Sequence, residues 1–434
     1  MIQSRVGSSD PRALLAENLA SFALGSLRAV FQWYLHDSNV MEAHLNNLCD
    51  AFAGKSVFVT GHTGFKGSWL CLWLAKLGAR VTGYALDPPT QPSHFEVAEI
   101  EQLLDGHHIA DIRDAAVLEA AMRASAPDLV LHLAAQSVVR ESYAVPRETF
   151  EINAIGTAGV LDAVRKLRHP CSVVCVTSDK CYENVEQVWG YRECDAMGEH
   201  DPYGGSKGAA ELVIRSYRHS FFPPERLTNH GVKLASARAG NVIGGGDWTS
   251  DALIVDIVKA LAANQPVRIR KPNAFRPWQH VLQALSGYLT LAARLMTSDN
   301  PVYQSGWNIG PAAGNELPVR EIVELFLREW GHGSWIDVSR QDDPHEAGIL
   351  RLAIDKAIWQ LNWRPGWDVT DTLRQTVRWY REFHNKNPAM RSVSSRQIDE
   401  YSERIGWLQT RPLPNQPNSD ADNVDNEAPI KKAV

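Results

Sequence analysis

Several absences narrow this sequence before any motif does. Its six cysteines, Cys49, Cys71, Cys171, Cys175, Cys181 and Cys194, show no Cys-x-x-Cys spacing. With no secretion signal ahead of them either, reduced thiols in a cytoplasmic protein are expected rather than a disulfide framework. Metal ligation by Cys171 and Cys175 is the rival reading, but a four-residue offset within a β-branched run stacks both thiols on one face of a buried strand, so no metal is expected. No Lys/Arg cluster is interleaved with aromatics and the net charge is only -6, which leaves neither nucleic acid nor an anionic membrane as an evident partner. Nor is there an apolar run of bilayer-spanning length, because Glu17, Asn18, Gly25 and Arg28 interrupt the stretch 14–34.

What is present suits a folded chain. Hydrophobic residues make up 44% and charged residues 22%, enough apolar surface for a packed core. A length of 434 residues exceeds the roughly 250 to 300 at which single cores stop growing, so two lobes are expected. From Lys55 onward strand, turn and helix repeat. Apolar runs at 56–60, 80–85, 129–133, 172–177 and 233–238 read as strands buried on both faces. Helical periodicity covers 68–77, 115–124, 153–167 and 203–220. The expected fold class is α/β: a doubly wound parallel Rossmann sheet with a smaller mixed α/β substrate-binding lobe. The expected division is an N-terminal extension at 1–50, a dinucleotide-binding domain at 51–240 to which later segments return, a substrate lobe at 241–385, a helical segment at 386–411 and a disordered tail at 412–434. Met41 is a candidate alternative start.

The stretch VFVTGHTGFKG at 57–67 places Gly61, Gly64 and Gly67 between an apolar strand and an apolar helix. Gly61 permits the tight turn, Gly64 lets backbone approach a pyrophosphate, and Gly67 lets helix and sheet pack closely. The helix N-terminus then offers amide donors to the phosphates. Asp87, about twenty residues further on, suits a ribose 2′-hydroxyl and repels a 2′-phosphate, which favours NAD over NADP. Asp111 either accepts the adenine amino group or caps the helix that starts at Ala115. The candidate cofactor contacts are Gly61, Thr63, Gly64, Phe65, Gly67, Asp87, Asp111, Ile112 and Ala134, with Tyr203 and Lys207.

Tyr203 and Lys207 form a YxxxK whose offset stacks phenol and ammonium on one helical face. A tyrosine acting as base near neutral pH needs Lys207, helped by a positive nicotinamide, to favour its phenolate. Thr177, Ser178, Asp179 and Lys180 end the preceding strand at its carboxyl edge, where open α/β sheets place their ligands. A glycine-rich loop follows at 244–247.

With these motifs the sequence resembles the extended short-chain dehydrogenase/reductase family of sugar-nucleotide enzymes over about 55–380. HTGFKGSW at 62–69, GYALDPPT at 83–90, LHLAAQSVVRESY at 131–143, ARAGNVIGGGDW at 237–248 and RPWQHV at 276–281 carry the likeness. The resemblance implies that Ser178, Tyr203 and Lys207 act together, and that Asp179 and Lys180 mark the 4,6-dehydratase branch, where epimerases lack an ionisable pair. Members acting on dTDP-glucose or GDP-mannose carry glutamate at the second position of the pair, whereas Asp-Lys is similar to those acting on CDP-glucose. The implied reaction converts the hexose to a 4-keto-6-deoxyhexose, with Tyr203 as base at the 4-hydroxyl, Lys180 as base at C5 and Asp179 as acid at the 6-hydroxyl. Lys180 would need a pKa lowered by neighbouring cations or by burial. Substrate contacts are implied for Gln136, Arg140, Asn241, Arg276 and His280. Arginines suit a diphosphate, while His280 could equally be a core histidine. A homodimer or homotetramer paired through the helices at 153–167 and 203–220, serving a deoxysugar of a cell-surface polysaccharide such as the O-antigen of lipopolysaccharide, is also implied. The alternatives are another sugar-nucleotide dehydratase or epimerase, or an NAD-sensing protein without catalysis.

Overall fold

Strands that are apolar on both faces can satisfy their amides only by pairing side by side under helices. The computed structural model shows that arrangement, and it describes residues 48–339, 350–386 and 389–407. Met41, nearly all of the expected N-terminal extension and the tail at 412–434 lie outside the described residues. Seven strands, Ser56–Thr60 (β1), Arg80–Ala85 (β2), Gly106–Ile109 (β3), Leu129–His132 (β4), Cys171–Val176 (β5), Val232–Arg238 (β6) and Gly306–Asn308 (β7), form one sheet in the order β7-β6-β5-β4-β1-β2-β3. Every neighbouring pair is parallel. The chain order reverses between β1 and β4, which opens a crevice at the carboxyl ends of those strands.

The helices that matter for the site are Phe65–Lys76 (α1), Ala115–Ser125 (α2), Gly156–Arg165 (α3), Pro202–Ser220 (α4), Val281–Thr297 (α5), Val369–His384 (α6) and Met390–Arg404 (α7). Leu118 and Met122 of α2, Val160, Leu161 and Val164 of α3, and Ile214 of α4 share one apolar cluster with Cys171, Val173 and Cys175 of β5. The alternating thiols of Cys171 and Cys175 thus face the core. α5 packs against β5 and β6, so a segment beyond 241 supplies both a sheet-covering helix and the edge strand β7. The described residues from Cys49 onward form one compact unit.

The C-terminal helix α7 is tied to α1. Lys76 Nζ donates to Ser395 Oγ at 2.6 Å and to Asp399 at 3.1 Å. His94 bridges Ser68 Oγ at 2.9 Å and Ser394 Oγ at 3.0 Å, and its ring stacks on Trp69 at 4.5 Å.

A buried ion pair sits under α4. Arg238 Nη2 of β6 donates to Glu211 Oε2 at 2.8 Å, and both side chains are almost fully enclosed. Thr177 Oγ1 donates to Glu211 Oε1 at 2.6 Å and Ser236 Oγ to Oε2 at 2.9 Å. Arg238 Nη1 donates to Tyr182 Oη, which donates to Asn308 Oδ1 of β7 at 2.7 Å. Helix, three strands and the chain after β5 are therefore joined through one network. Removing one partner leaves an uncompensated buried charge, so Glu211→Ala should cost about 3–5 kcal/mol. Urea unfolding followed by circular dichroism measures it, and a loss below about 1 kcal/mol would mean that the pair is solvated.

His62, His94, His132 and His280 are buried, and burial lowers each from 6.5 to about 3. His132 shows why the neutral ring is held: Thr157 Oγ1 donates to Asn153 O at 2.6 Å, so it accepts from His132 Nε2 at 3.0 Å, which leaves Nδ1 to accept from Thr60 Oγ1 at 2.7 Å. The unfolded chain takes up protons near 6.5 while the native rings stay neutral. Stability is therefore intact above about pH 6.5 and lost as pH falls toward 3, by up to about 1.4 kcal/mol per pH unit for each ring. Urea unfolding at about pH 7.5 and about pH 5 should show the loss. Equal stability at both would mean that the native rings take up protons just as the unfolded chain does.

Candidate active site

The turn between β1 and α1 is built by its glycines. Gly61 has φ +76°, and a Cβ there would lie 2.7 Å from Ala134 N, so only glycine fits both the backbone and the neighbour. A Cβ on Gly67 would lie 2.1 Å from Gly61 O, which is how closely helix meets strand. Gly64 is the N-cap of α1 and no side chain caps the helix there, so its first amides point out of the turn. Thr63 Oγ1 donates to Leu86 O at 2.8 Å and ties the turn to the end of β2, where Asp87 follows, exposed. Ala134 N donates to Thr60 Oγ1 at 3.1 Å on the β4 side. A dinucleotide fits this cradle: helix amides without a side-chain cap and an exposed acid at the β2 end.

Asp111 is otherwise engaged. Its carboxylate accepts from Arg113 at 2.6 Å, and that bond first of all holds it below the usual range. The cap of α2 is instead Asp114, which accepts from Val117 N at 3.1 Å. The capping reading of Asp111 is thereby corrected by three residues. Ile112 is buried against Gly156 and the core.

At the carboxyl end of β5, Ser178, Asp179 and Tyr203 lie together and buried. Ser178 Oγ donates to Asp179 Oδ1 at 2.9 Å. Lys180 N donates to the same Oδ1 at 2.9 Å. Asp179 Oδ2 is buried with no hydrogen-bond partner and lies over Gly240, where a Cβ would be 2.4 Å away. Burial raises Asp179, opposed by the Ser178 bond and by Lys180. With both donors on Oδ1, the bare Oδ2 is the oxygen free to carry a proton. Burial likewise raises Tyr203, and Ser178 pulls it back down. Lys207, one turn along α4, is lowered to about 8 by burial and then by the charge of Lys66.

Lys180 is not where the sequence required. Its side chain is 36% exposed and its ammonium faces the carboxylate of Asp201, the N-cap of α4, at 3.5 Å. The residue follows β5 on a single 3-10 turn, Asp179–Cys181, whose other two side chains are buried.

The expected substrate residues divide. Gln136 follows β4, and its Oε1 is buried and unpartnered while Nε2 donates to Val138 O at 2.9 Å. Asn241 adjoins Gly240 beside Asp179, its carbonyl accepting from Gln279 N at 3.2 Å. Arg140 is exposed and pairs with Asp251 at 3.0 Å, to which Arg270 also comes within 3.8 Å. Arg276 lies on the strand Phe275–Pro277, paired antiparallel with Glu316–Pro318. His280 does not belong with them: it is 0% exposed, its Nδ1 accepts from Leu282 N at 3.2 Å to cap α5, and its ring packs between Trp69 and Trp367.

Three relevant residues were absent from the sequence reading. Asn153 accepts from Gln136 N at 2.9 Å and donates to Gln136 O at 3.0 Å and Ser206 Oγ at 2.8 Å, bracing the loop after β4 against α4. It sits in a π-helical turn, Glu151–Ile155, ahead of α3, where the reading expected regular helix. Lys66, partly buried at the start of α1, is lowered by burial while Asp179 and Asp247 pull it back up. Asp247 closes the glycine-rich loop, with its Oδ1 taken by Thr249. The polar residues inside apolar-periodic or glycine-rich runs were the available signal.

The family model described as GDP-mannose 4,6 dehydratase matches residues 58–376, most of the chain. The chain belongs to that dehydratase family. It is similar to the CDP-glucose 4,6-dehydratase of Salmonella typhimurium, 49% identical over 80% of this chain and 96% of that one. It is also similar to the dTDP-glucose 4,6-dehydratase of Xanthomonas campestris pv. campestris (strain ATCC 33913), 25% identical over 74% and 92%. Among solved structures it is similar in fold to DesIV, a dTDP-glucose 4,6-dehydratase from Streptomyces venezuelae, with a TM-score of 0.63, 24% identity and coverage of 77% and 99%. The epimerase Mth375 of Methanothermobacter thermautotrophicus matches with a TM-score of 0.66, 24% identity and coverage of 79% and 98%. The dehydratase family thus shares this sheet with epimerases, and chemistry must be argued from side chains.

Gly67→Ala should separate α1 from the turn, cost about 1–3 kcal/mol and weaken dinucleotide binding at least about tenfold. Fluorescence titration of the variant with NAD checks this, and an unchanged affinity would detach the turn from cofactor binding.

Proposed function

We propose that this chain is a CDP-glucose 4,6-dehydratase, converting CDP-D-glucose to CDP-4-dehydro-6-deoxy-D-glucose and water with NAD as cofactor. The observation that carries the reading is Asp179. A buried carboxyl with one bare oxygen, hydrogen-bonded to Ser178 and beside Tyr203, is an acid waiting for an acceptor, and an epimerase expels no hydroxyl that would need one. The choice of cytidine nucleotide rests on the Asp179–Lys180 pair together with the likeness to the Salmonella typhimurium enzyme.

The turn at Gly61, Gly64 and Gly67 would hold the NAD pyrophosphate, and Asp87 the ribose. When bound, NAD would supply the hydride acceptor for C4 of the sugar and the hydride donor for C6. Tyr203 removes the proton of the 4-hydroxyl, with Lys207 and Ser178 favouring its phenolate. The resulting ketone acidifies C5, and Lys180 takes that proton as the free amine, after its ammonium, stripped of water and of Asp201 by the sugar, has released a proton to solvent. Asp179 donates to the departing 6-hydroxyl. Gln136 offers its unpartnered Oε1 to a sugar hydroxyl, and Arg140 and Arg276 are placed in the role of diphosphate contacts. Among the described residues no helix is long and apolar enough to cross a membrane. The unpaired cysteines Cys71, Cys171, Cys175, Cys181 and Cys194 support a cytoplasmic location. Ile155 and Leu212, 65% and 58% exposed on the helices expected to pair, support a homodimer or homotetramer.

Purified protein should form a 4-keto product from CDP-glucose at least about tenfold faster, in kcat/KM, than from dTDP-glucose, UDP-glucose or GDP-mannose. Lys180→Met should still oxidise C4 but lose exchange of the C5 hydrogen with deuterated solvent. Undiminished exchange in that variant would remove Lys180 from the base role.

A further inference from the structure

Arg140, one of the arginines expected to meet a diphosphate, is already engaged. Its Nη1 donates to Asp251 Oδ1 at 3.0 Å, and Arg270 Nη2 approaches the same oxygen at 3.8 Å, close enough for attraction but too long for a hydrogen bond. The three side chains come from separate parts of the chain. Arg140 lies on the helix Val139–Ala144 that follows β4, Asp251 on the segment that leaves β6 through the glycine-rich loop, and Arg270 directly after the short strand Val267–Ile269. The segments after β4 and β6 both start at the carboxyl edge of the sheet, as Gln136 and Asn241 do, and ligands of open α/β sheets lie at that edge.

We propose, resting on the sugar-nucleotide reading, that Asp251 stands in for the substrate's diphosphate: its carboxylate holds Arg140 and Arg270 together until the diphosphate displaces it and takes both guanidinium groups. One carboxylate oxygen between two guanidinium groups is an arrangement that a phosphoryl oxygen can reproduce. A diphosphate brings more than one negative charge and several oxygens. Each arginine then gains a charge-assisted hydrogen bond of its own, where Asp251 gives one to Arg140 and none to Arg270. Arg270 thereby joins Arg140 as a substrate contact, one that the sequence motifs did not single out.

The energetics favour the exchange. The side chains of Arg140, Asp251 and Arg270 are 54%, 43% and 44% exposed, and an ion pair that open to water adds little stability. A buried pair such as Glu211 with Arg238 could not be opened so readily. Asp251 has φ +61°, a left-handed backbone that a residue with a side chain adopts at some cost. No relaxed local conformation therefore keeps the carboxylate where it is, and the charge of the arginines does. Left in place, it would repel the phosphates whose position it takes, so it must move away and not merely share the arginines.

The test uses full-length protein loaded with NAD, as wild type, Asp251→Asn and Arg270→Gln, each first shown to keep the wild-type melting temperature and NAD content. Binding of CDP is measured by isothermal titration calorimetry at one fixed ionic strength, and that of cytidine by displacement. Asp251→Asn keeps the shape and removes the charge. It should bind CDP about three- to fivefold more tightly, the gain expected when an exposed ion pair no longer has to be broken, and bind cytidine as wild type does. Arg270→Gln should bind CDP at least about tenfold more weakly and leave cytidine unchanged. Tighter CDP binding cannot come from a damaged fold, so the sign of the Asp251→Asn effect is decisive. Unchanged or weaker CDP binding in that variant would overturn the exchange. So would an Arg270→Gln protein that binds CDP as wild type does, or that loses cytidine as strongly as CDP. The clamp meets phosphate and not base, which keeps the two failures apart. If wild type forms no 4-keto product from CDP-glucose, the dehydratase reading falls, while both variants still test the exchange with whichever of CDP, dTDP, UDP or GDP the wild type binds. If it binds none of them, the exchange falls as well.

Discussion

The geometry of the site depends on the buried contact between Glu211 and Arg238. Tyr203, Lys207 and Glu211 occupy successive turns of one face of α4. The last is held by Arg238 of β6 at 2.8 Å and by Thr177 at the end of β5 at 2.6 Å. Thr177 immediately precedes Ser178, so one carboxylate sets both the rotation of the helix that carries the phenol and the end of the strand that carries its partner. A slip of the helix by a residue would turn Tyr203 away from Ser178 by about 100°. An apolar contact would hold the helix down as firmly, but dispersion is non-directional, whereas a carboxylate with three donors around it accepts one orientation.

The same enclosure that makes this pair directional also sets the chemistry. Burial disfavours charge on every group it surrounds, raising Asp179 and Tyr203 and lowering Lys66 and Lys207. Acids are pushed toward holding their protons and ammonium groups toward losing theirs. Lys180 instead faces Asp201, 3.5 Å away. The groups proposed for the internal redox chemistry and for the C5 proton removal thus stand in two different environments.

The legible parts of the sequence were those where a local pattern determines a local structure. GxxGxxG after an apolar strand is such a case, since a positive φ at Gly61 and a 2.1 Å approach at Gly67 leave no other residue type possible. YxxxK is another, because helical periodicity alone aligns its two side chains. β3 and β7 were not legible: Gly106–Ile109 carries two histidines, and Gly306–Asn308 has three residues and no β-branched side chain. Each becomes a strand only because a neighbour offers a free edge. Glu211 reads as a solvated helix residue until Arg238, distant in sequence, is seen beside it. His280 misled in the opposite direction, since a histidine within a family motif is equally serviceable as a helix cap between two tryptophans.

Asn153 and Lys66 show where local reasoning stops. An asparagine inside helical periodicity predicts weakened helix, and a π-helical turn stands there. What the turn accomplishes appears only with the partners, because Asn153 clasps both backbone groups of Gln136 and reaches Ser206, whose hydroxyl donates to Tyr203 O at 2.7 Å. The loop after β4 and the helix after β5 are therefore braced to each other through a side chain that touches neither reacting group. Lys66 likewise belongs by sequence to the phosphate turn and by charge to Asp179 and Asp247. A cation placed at the first turn of α1 thus joins the glycine turn electrostatically to the buried carboxyl of Asp179, two sites that no single stretch of the sequence contains.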